Sequence, residues 1–430
     1  MLNNSSFNKL FTLLKISPDL SKLIISFFSA NFLVILVQTV SGLLVTRMIR
    51  PEDMGLFTTA SIVTIYLPFF LLGTNNGLNR ELSFLNGQGK TEEIPPMRNT
   101  AFAWAFFMSG ITFIAVALIG IYYQLKQQTP LAYAFYATAI MSAFYPLTTI
   151  LEITFRTSND FIRLSKIKIL NLVVAISTIP LVYYLGYNGM LARSILIAFS
   201  LLGLMYYFKS YPIKIEFSKK HFITLLKIGI PIFFWSYIYS IYTGLDKVFI
   251  ASHFSERYMG LLTPSIQVTI GLSILPSSIF QIIYPRLGEQ YGRHGTISSL
   301  QKLAFTPLKY LAIGMLPILA IATLLIGPFV ELVLPNYVEG IPAARWAILA
   351  VYFKCLGGPA DILTLIGKLH YYGIVTALSA GVFFVLFKIF LSYGWELEAV
   401  TASFAFSTLF FNIAIALVVY WLIKKEKQSV

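Results

Sequence analysis

Long apolar blocks separated by short polar interruptions run the whole length of the 430-residue chain. Twelve can be marked out, at 23–49, 54–78, 100–123, 131–155, 167–185, 191–208, 228–254, 258–284, 310–333, 343–366, 371–393 and 399–423. Each is close to the roughly 20 residues that a helix needs to cross a hydrocarbon core. The separators carry the Pro, Gly and charge expected of loops. Backbone in lipid must satisfy its own hydrogen bonds, so blocks of this length imply helices. The pattern predicts an all-α membrane protein with about 12 transmembrane helices.

The pattern also repeats. A shift of 205 residues lays Met54 to Leu67 (MGLFTTASIVTIYL) on Met259 to Leu272 (MGLLTPSIQVTIGL), with eight of fourteen positions identical. Without a gap, Leu82 then falls on Leu287 and Gly87 on Gly292. A duplication divides the chain into two six-helix halves, 23–208 and 228–423, joined by a linker at 209–227. A segment at 1–22 precedes them and a tail at 424–430 follows. An even number of crossings per repeat makes both halves enter the membrane in the same direction. They are then expected to be related by a pseudo-twofold axis along the membrane normal, a transporter architecture. The repeat maps the first span onto 228–254, which places Asp246 and Lys247 inside the seventh helix.

Composition agrees with the pattern: 57% of residues are hydrophobic and 12% charged, against a charged fraction of about 25% in soluble domains. The formal charge of +14 changes the picture through its distribution. Of 32 Lys and Arg residues, 23 lie before the first span or after even-numbered spans, and six lie in the opposite loops or their borders. The positive-inside rule then places both termini in the cytoplasm and makes the basic balance a topology signal, not a nucleic-acid footprint. The first span is too long for a signal-peptide core and has no cleavage site behind it, so it is expected to be retained. Cys355 is the single cysteine and the four histidines lack ligand spacing, so neither a disulfide framework nor a metal site is expected. No cofactor is expected either. There is no P-loop for an ATP-driven exporter, and the outer loops are too short for a polymerase or ligase domain.

Candidate function therefore rests on polar residues within the spans, where a charge costs about 3 kcal/mol on insertion scales and normally faces an interior or a wet cavity. The seventh span carries Trp235, Tyr239, Tyr242 and Asp246 at helical spacing on one face. Such a stripe suits a sugar-facing wall, because aromatic rings cover the apolar faces of sugars while their polar tips bond hydroxyls. The alternative is an aromatic seam in which Lys247 neutralises Asp246. On the first span Asn31, Gln38 and Gly42 form another stripe, which the repeat maps onto Ser236, Thr243 and Lys247. It reads as a cavity wall or as polar glue between helices. The tenth span sets Lys354, Asp361 and Lys368 seven apart, with Gly357, Gly358 and Pro359 predicting a hinge or broken helix between the first two. Glu152 and Arg156 form an i,i+4 pair that reads first as structural, and Lys388 reads as a snorkelling side chain.

Four segments resemble a known family, the Wzx-type O-antigen and polysaccharide flippases. Met48 to Leu56 (MIRPEDMGL) is similar to that family's junction between helices one and two, and Leu72 to Glu81 (LGTNNGLNRE) to its Gly-rich end of helix two. Leu245 to Gly260 (LDKVFIASHFSERYMG) is similar to its Asp-Arg/Lys element, and Tyr284 to Leu287 (YPRL) to its close of helix eight. The resemblance implies membership of the multidrug/oligosaccharidyl-lipid/polysaccharide exporter superfamily. It implies a flippase, not an enzyme, that moves an undecaprenyl-diphosphate-linked repeat unit across a bacterial inner membrane by alternating access during lipopolysaccharide or related polysaccharide synthesis. Polysaccharide polymerase and chain-length machinery are the protein partners it implies. The anion-facing role would fall to Lys247, Lys354 and Arg345, and a coupling ion to Asp246, Asp361 or Glu152. A drug/cation antiporter of the same superfamily would share topology and repeat but prefer an acidic, apolar pocket. The embedded mixture of Lys and Asp leans toward an anionic substrate.

Overall fold

The computed structural model describes residues 37–88, 91–158, 160–209 and 211–429, and all regular structure among them is helical. After α1 (37–48), the second apolar block is assembled from pieces: α2 (Pro51–Ser61), a 3-10 turn (Ile62–Tyr66), α3 (Leu67–Phe70) and α4 (Thr74–Gln88). The interruption before α4 is local, since Leu72 and Gly73 adopt φ of 50° and 78°, which no α-helix continues through. Next come α5 (Ile94–Leu125) and α6 (Thr129–Thr157), a closely packed hairpin, then α7 (Phe161–Ser177) and α8 (Ile179–Tyr207). Inside α8, Gly186 takes φ 54° and ψ −127°, a combination open to glycine alone. The chain reverses there, because a Cβ on Gly189 would lie 2.0 Å from the carbonyl oxygen of Leu181. Hydropathy places the border between the fifth and sixth spans at the same point.

The non-helical stretch 211–218 leads into the second half. That half comprises α9 (Lys219–Thr243), α10 (Leu245–His253), α11 (Glu256–Leu261), α12 (Thr263–His294) and α13 (Gln301–Val333), then α14 (Ile341–Lys354), α15 (Ala360–Leu365), α16 (Leu369–Ser392) and α17 (Leu397–Ser429). The seventh span is not one helix through Asp246: α9 ends at Thr243, Gly244 caps it, and Asp246 opens α10. Glycine is the weakest helix former apart from proline, and here the side chain of Ile65 comes within 2.6 Å of where a Cβ would stand. In the tenth span the expected break is present, between Lys354 and Ala360. Eight helical stretches among the described residues are long and apolar enough to cross a bilayer. This is a multi-pass membrane protein.

Association of helices within lipid depends on close packing more than on apolar burial, and small residues set how near two backbones approach. The two halves meet through such residues. A Cβ on Gly55 in α2 would lie 1.7 Å from the carbonyl oxygen of Glu256, and one on Gly260 in α11 would lie 1.7 Å from that of Pro51. The two contacts exchange under the shift of 205, which turns 51 into 256 and 55 into 260. Around them, the buried Tyr337 hydroxyl donates to the carbonyl of Ile49 at 2.9 Å, and Arg257 bridges Glu52 at 3.3 Å and Glu339 at 2.7 Å. A second junction packs α4 on α9, where a Cβ on Gly77 would lie 2.3 Å from the carbonyl oxygen of Leu225 and one on Gly229 would lie 2.0 Å from that of Gly73. One apolar cluster crosses from half to half, from Val45, Ile49, Met54 and Met190 to Leu311, Met315, Val330 and Tyr337.

Candidate functional site

A cavity of about 250 Å³ opens among α9, α10, α12, α14 and α17, all in the second half. Each helix contributes one face. From α9 and α10 come Tyr239, Tyr242, Thr243, Asp246 and Lys247; from α12, Ser265, Ile266, Thr269 and Ile270; from α14, Ala347, Ala350, Val351 and Lys354. On α17, Thr401, Phe404, Thr408 and Phe411 follow at intervals of three, four and three, so they share one helical face. Small residues on α14 leave the volume that the aromatic and polar residues of the other helices surround.

The charged groups are held by backbone architecture. Because Gly244 restarts the helix, Asp246 sits in the first turn of α10 and its Oδ1 accepts the Lys247 backbone N–H at 2.8 Å. A carboxylate in the first turn also faces the positive end of the helix dipole. Lys354 is the last residue of α14, where a cation complements the negative end. The break that follows is satisfied by protein groups. Asn412 Nδ2 of α17 donates to the carbonyl of Phe353 at 2.7 Å, and the N–H groups of Gly357 and Ala360 close turns at 3.1 and 3.0 Å. Gly358 allows Phe280 to close over the break, its ring 2.8 Å from where a Cβ would stand. Neither Lys247 nor Lys354 takes part in an ion pair among the described residues. The cavity therefore holds two cations, one carboxylate and the hydroxyl of Ser265, which is buried with no hydrogen-bond partner.

The aromatic residues do two jobs. Tyr242 is buried, its hydroxyl 2.9 Å from Ser407 Oγ and 3.4 Å from Thr408 Oγ1, and Tyr239 packs on Tyr372 and Phe411. They line the cavity and also form a seam with α16 and α17. Trp235 lies outside the cavity: its ring fills the space beside Gly373 of α16, reaching within 2.0 Å of where a Cβ would be. Other residues picked out by sequence also fall elsewhere. Gln38 is exposed on α1 and Arg345 is exposed on α14, the latter beside Gly327. Asp361 is in the first turn of α15, beyond the break. Glu152 is bound by Arg156 at 2.7 Å and Lys168 at 3.3 Å near the end of α6. Asn31 lies outside the described residues. The α17 stripe, Ser265 and Thr269 were not singled out from sequence, although the same three-and-four spacing marks α17; Thr243, which the repeat pairs with Gln38, does line the cavity. Arg193, one of the six basic residues counted in the opposite loops and their borders, donates to Ser41 Oγ at 2.8 Å and to the carbonyl of Ala175 at 3.2 Å.

Residues 20–339 match a family of polysaccharide biosynthesis proteins. The chain belongs to that family. Among curated proteins no sequence matches this family member significantly. Its fold is similar to several solved transporters. A multidrug resistance MATE family transporter of the MOP superfamily, in an inward-facing conformation, superposes with a TM-score of 0.76 at 15% identity, covering 92% of this chain and 96% of that one. A MOP superfamily transporter from Pyrococcus furiosus, described as having a binding pocket of reversed polarity, gives 0.70 at 15% identity over 94% and 96%. The lipid II flippase MurJ, in an inward closed conformation, gives 0.69 at 14% identity over 92% and 87%. The polysaccharide biosynthesis protein thus has the fold of this transporter superfamily.

Proposed function

We propose that this polysaccharide biosynthesis protein is a flippase that carries an undecaprenyl-diphosphate-linked oligosaccharide, an O-antigen or related repeat unit, from the cytoplasmic to the periplasmic leaflet of a bacterial inner membrane. The observation that carries the reading is the cavity in which Lys247 and Lys354 face one volume with no carboxylate bonded to either. Two ammonium groups facing one volume attract a diphosphate. Tyr239, Tyr242 and the hydroxyls of Thr243, Thr269, Thr401 and Thr408 supply the aromatic faces and polar tips that sugars use. At about 250 Å³ the cavity is smaller than the 300–1,000 Å³ of drug-sized pockets. It suits the diphosphate and adjoining sugar, with the polyprenyl tail left in lipid. Family membership supports the pathway, and the fold supports transport by alternating access.

The architecture we infer is twelve crossings in two halves about a pseudo-twofold axis, which passes between Gly55 and Gly260. The exchange of their contacts under the 205-residue shift supports it. With both termini cytoplasmic, reporter fusions after Lys90 and Lys427 should read as cytoplasmic and one after Lys126 as periplasmic. Reversal of any of the three would overturn the topology.

The functional test is export of surface polysaccharide from cells that depend on this gene. Lys354→Ala is expected to lower export at least tenfold with membrane abundance unchanged, as befits a lost charge-assisted contact of about 1.5–3 kcal/mol. Lys354→Arg should retain part of it. Export from the alanine variant equal to wild type would remove the diphosphate role.

A further inference from the structure

A second buried cation lies in the first half, on the face that bears the lysine-rich loops. Arg98, one turn into α5, is only 3% exposed, yet no ion pair among the described residues includes it. Its Nη2 donates to the carbonyl of Pro212 at 2.7 Å, the Tyr211 ring lies 5.1 Å from Cζ, and Nε is buried without a hydrogen-bond partner. Arg98 lines a cavity of about 140 Å³ together with Ile94, Pro95, Thr154 and Ser158.

A guanidinium cannot shed its charge, and burying it without a counter-charge is costly. The surroundings have the same sign. Ile94 and Pro95 are the first residues of a 32-residue helix whose N-cap makes no side-chain hydrogen bond; Pro95 and Pro96 carry no N–H, so what this end brings to the cavity wall is the positive end of the helix dipole. Glu92 and Glu93, the acidic residues next to it in sequence, are exposed. Glu216 is held by Asn99 Nδ2 at 3.1 Å. The hydroxyls of Thr154 and Ser158 donate to carbonyls of α6 itself, which leaves Arg98 as the main free donor.

We propose that this cavity binds a phosphate oxyanion, from a phospholipid headgroup or from free phosphate, on the buried Arg98 guanidinium that lines it at the N-terminal end of α5. The site sits where the segment joining the two halves is fastened down. Arg98 holds Pro212, the Asn99 Oδ1 accepts the Lys214 N–H at 3.2 Å, and Thr100 Oγ1 accepts the Ser218 N–H at 3.2 Å. An anion completing Arg98 therefore clamps the linker onto the first half.

The test measures thermal unfolding of the purified full-length protein in detergent. Sodium phosphate is compared with sodium chloride at matched ionic strength, and mixed micelles of phosphatidylglycerol with those of phosphatidylcholine. The wild type should gain about 3 °C or more from at least one phosphate source. A response to inorganic phosphate assigns a small-oxyanion site, and a response to phosphatidylglycerol alone assigns a headgroup site. Arg98→Gln should lose the response. Ser158→Leu, which fills the cavity while keeping Arg98 and its linker bond, should keep the baseline midpoint and also lose the response. No gain in the wild type from either source, or an equal gain in Ser158→Leu, overturns the proposal.

Discussion

Gly260→Ala is expected to abolish polysaccharide export, and Gly55→Ala to do the same. Each methyl would have to occupy a point 1.7 Å from a carbonyl oxygen of the opposing helix. The contact is backbone on backbone, so no rotamer change relieves it. The halves must separate by roughly the difference between that distance and an ordinary contact of about 3.5 Å. Overpacking of this kind costs about 1–3 kcal/mol or more, and it falls on the junction of α2 with α11, which the proposed alternating-access cycle would have to re-form. The Arg257 pairs beside it weigh far less. Arg257 and Glu52 are 47% and 46% exposed, and exposed ion pairs contribute about 0–1 kcal/mol, so Arg257→Ala should leave export within a few-fold of wild type. Closure itself can be read by crosslinking Glu52→Cys to Arg257→Cys, against little background because Cys355 is buried. Rapid crosslinking in the parent and at least tenfold slower crosslinking with Gly260→Ala are expected. Equal crosslinking and export in the alanine variant would show that the junction tolerates the methyl.

That junction was legible in part from sequence. The 205-residue repeat identifies Met-Gly-Leu-x-Thr at the start of two spans, and the glycines that touch the opposite half lie in it. Sequence periodicity says which positions correspond, but it cannot say that corresponding positions meet. The cavity was legible to a similar degree. Tyr239, Tyr242, Asp246, Lys247 and Lys354 could be found because polar groups in apolar blocks stand out, and the structure brings these five together. Trp235 obeys the same spacing yet packs on Gly373, since the choice between a cavity and a helix seam depends on the neighbouring helix. Thr401 and Thr408 did not stand out, because a hydroxyl that bonds its own helix is cheap in lipid, as Thr408 does to Phe404 at 2.7 Å. The break at Gly244 escaped hydropathy, which registers apolarity and not backbone angle. Arg98 counted only as a loop charge, because the segment that buries it lies more than a hundred residues away, at Tyr211 and Pro212.

Asp246 is expected to be the carboxylate on which the transport cycle depends, through a role that Lys247 alone does not explain. It opens α10 immediately after the Gly244 break, so a small change at that break moves it relative to Lys354 and to the hydroxyls of α17. Its Oδ1 is held by the Lys247 backbone N–H, a contact that survives replacement of the Lys247 side chain. Two roles are therefore separable by substitution. If Asp246 only balances the Lys247 ammonium, then Asp246→Asn and Lys247→Gln should each impair export, and the double variant should recover it. In a double-mutant cycle that recovery appears as a coupling energy of about 0.5–3 kcal/mol between contacting residues. If Asp246 takes up a coupling cation or proton, the double variant should stay at least tenfold below wild type, because no neutral amide replaces a titratable or cation-binding oxygen. We expect the second result. Membrane abundance of all three variants must match wild type for the comparison to hold, and proteoliposome transport measured with and without an imposed proton or sodium gradient separates coupling from binding. A gradient response retained in Asp246→Asn, or recovery of export in the double variant, would assign the pair to charge balance alone.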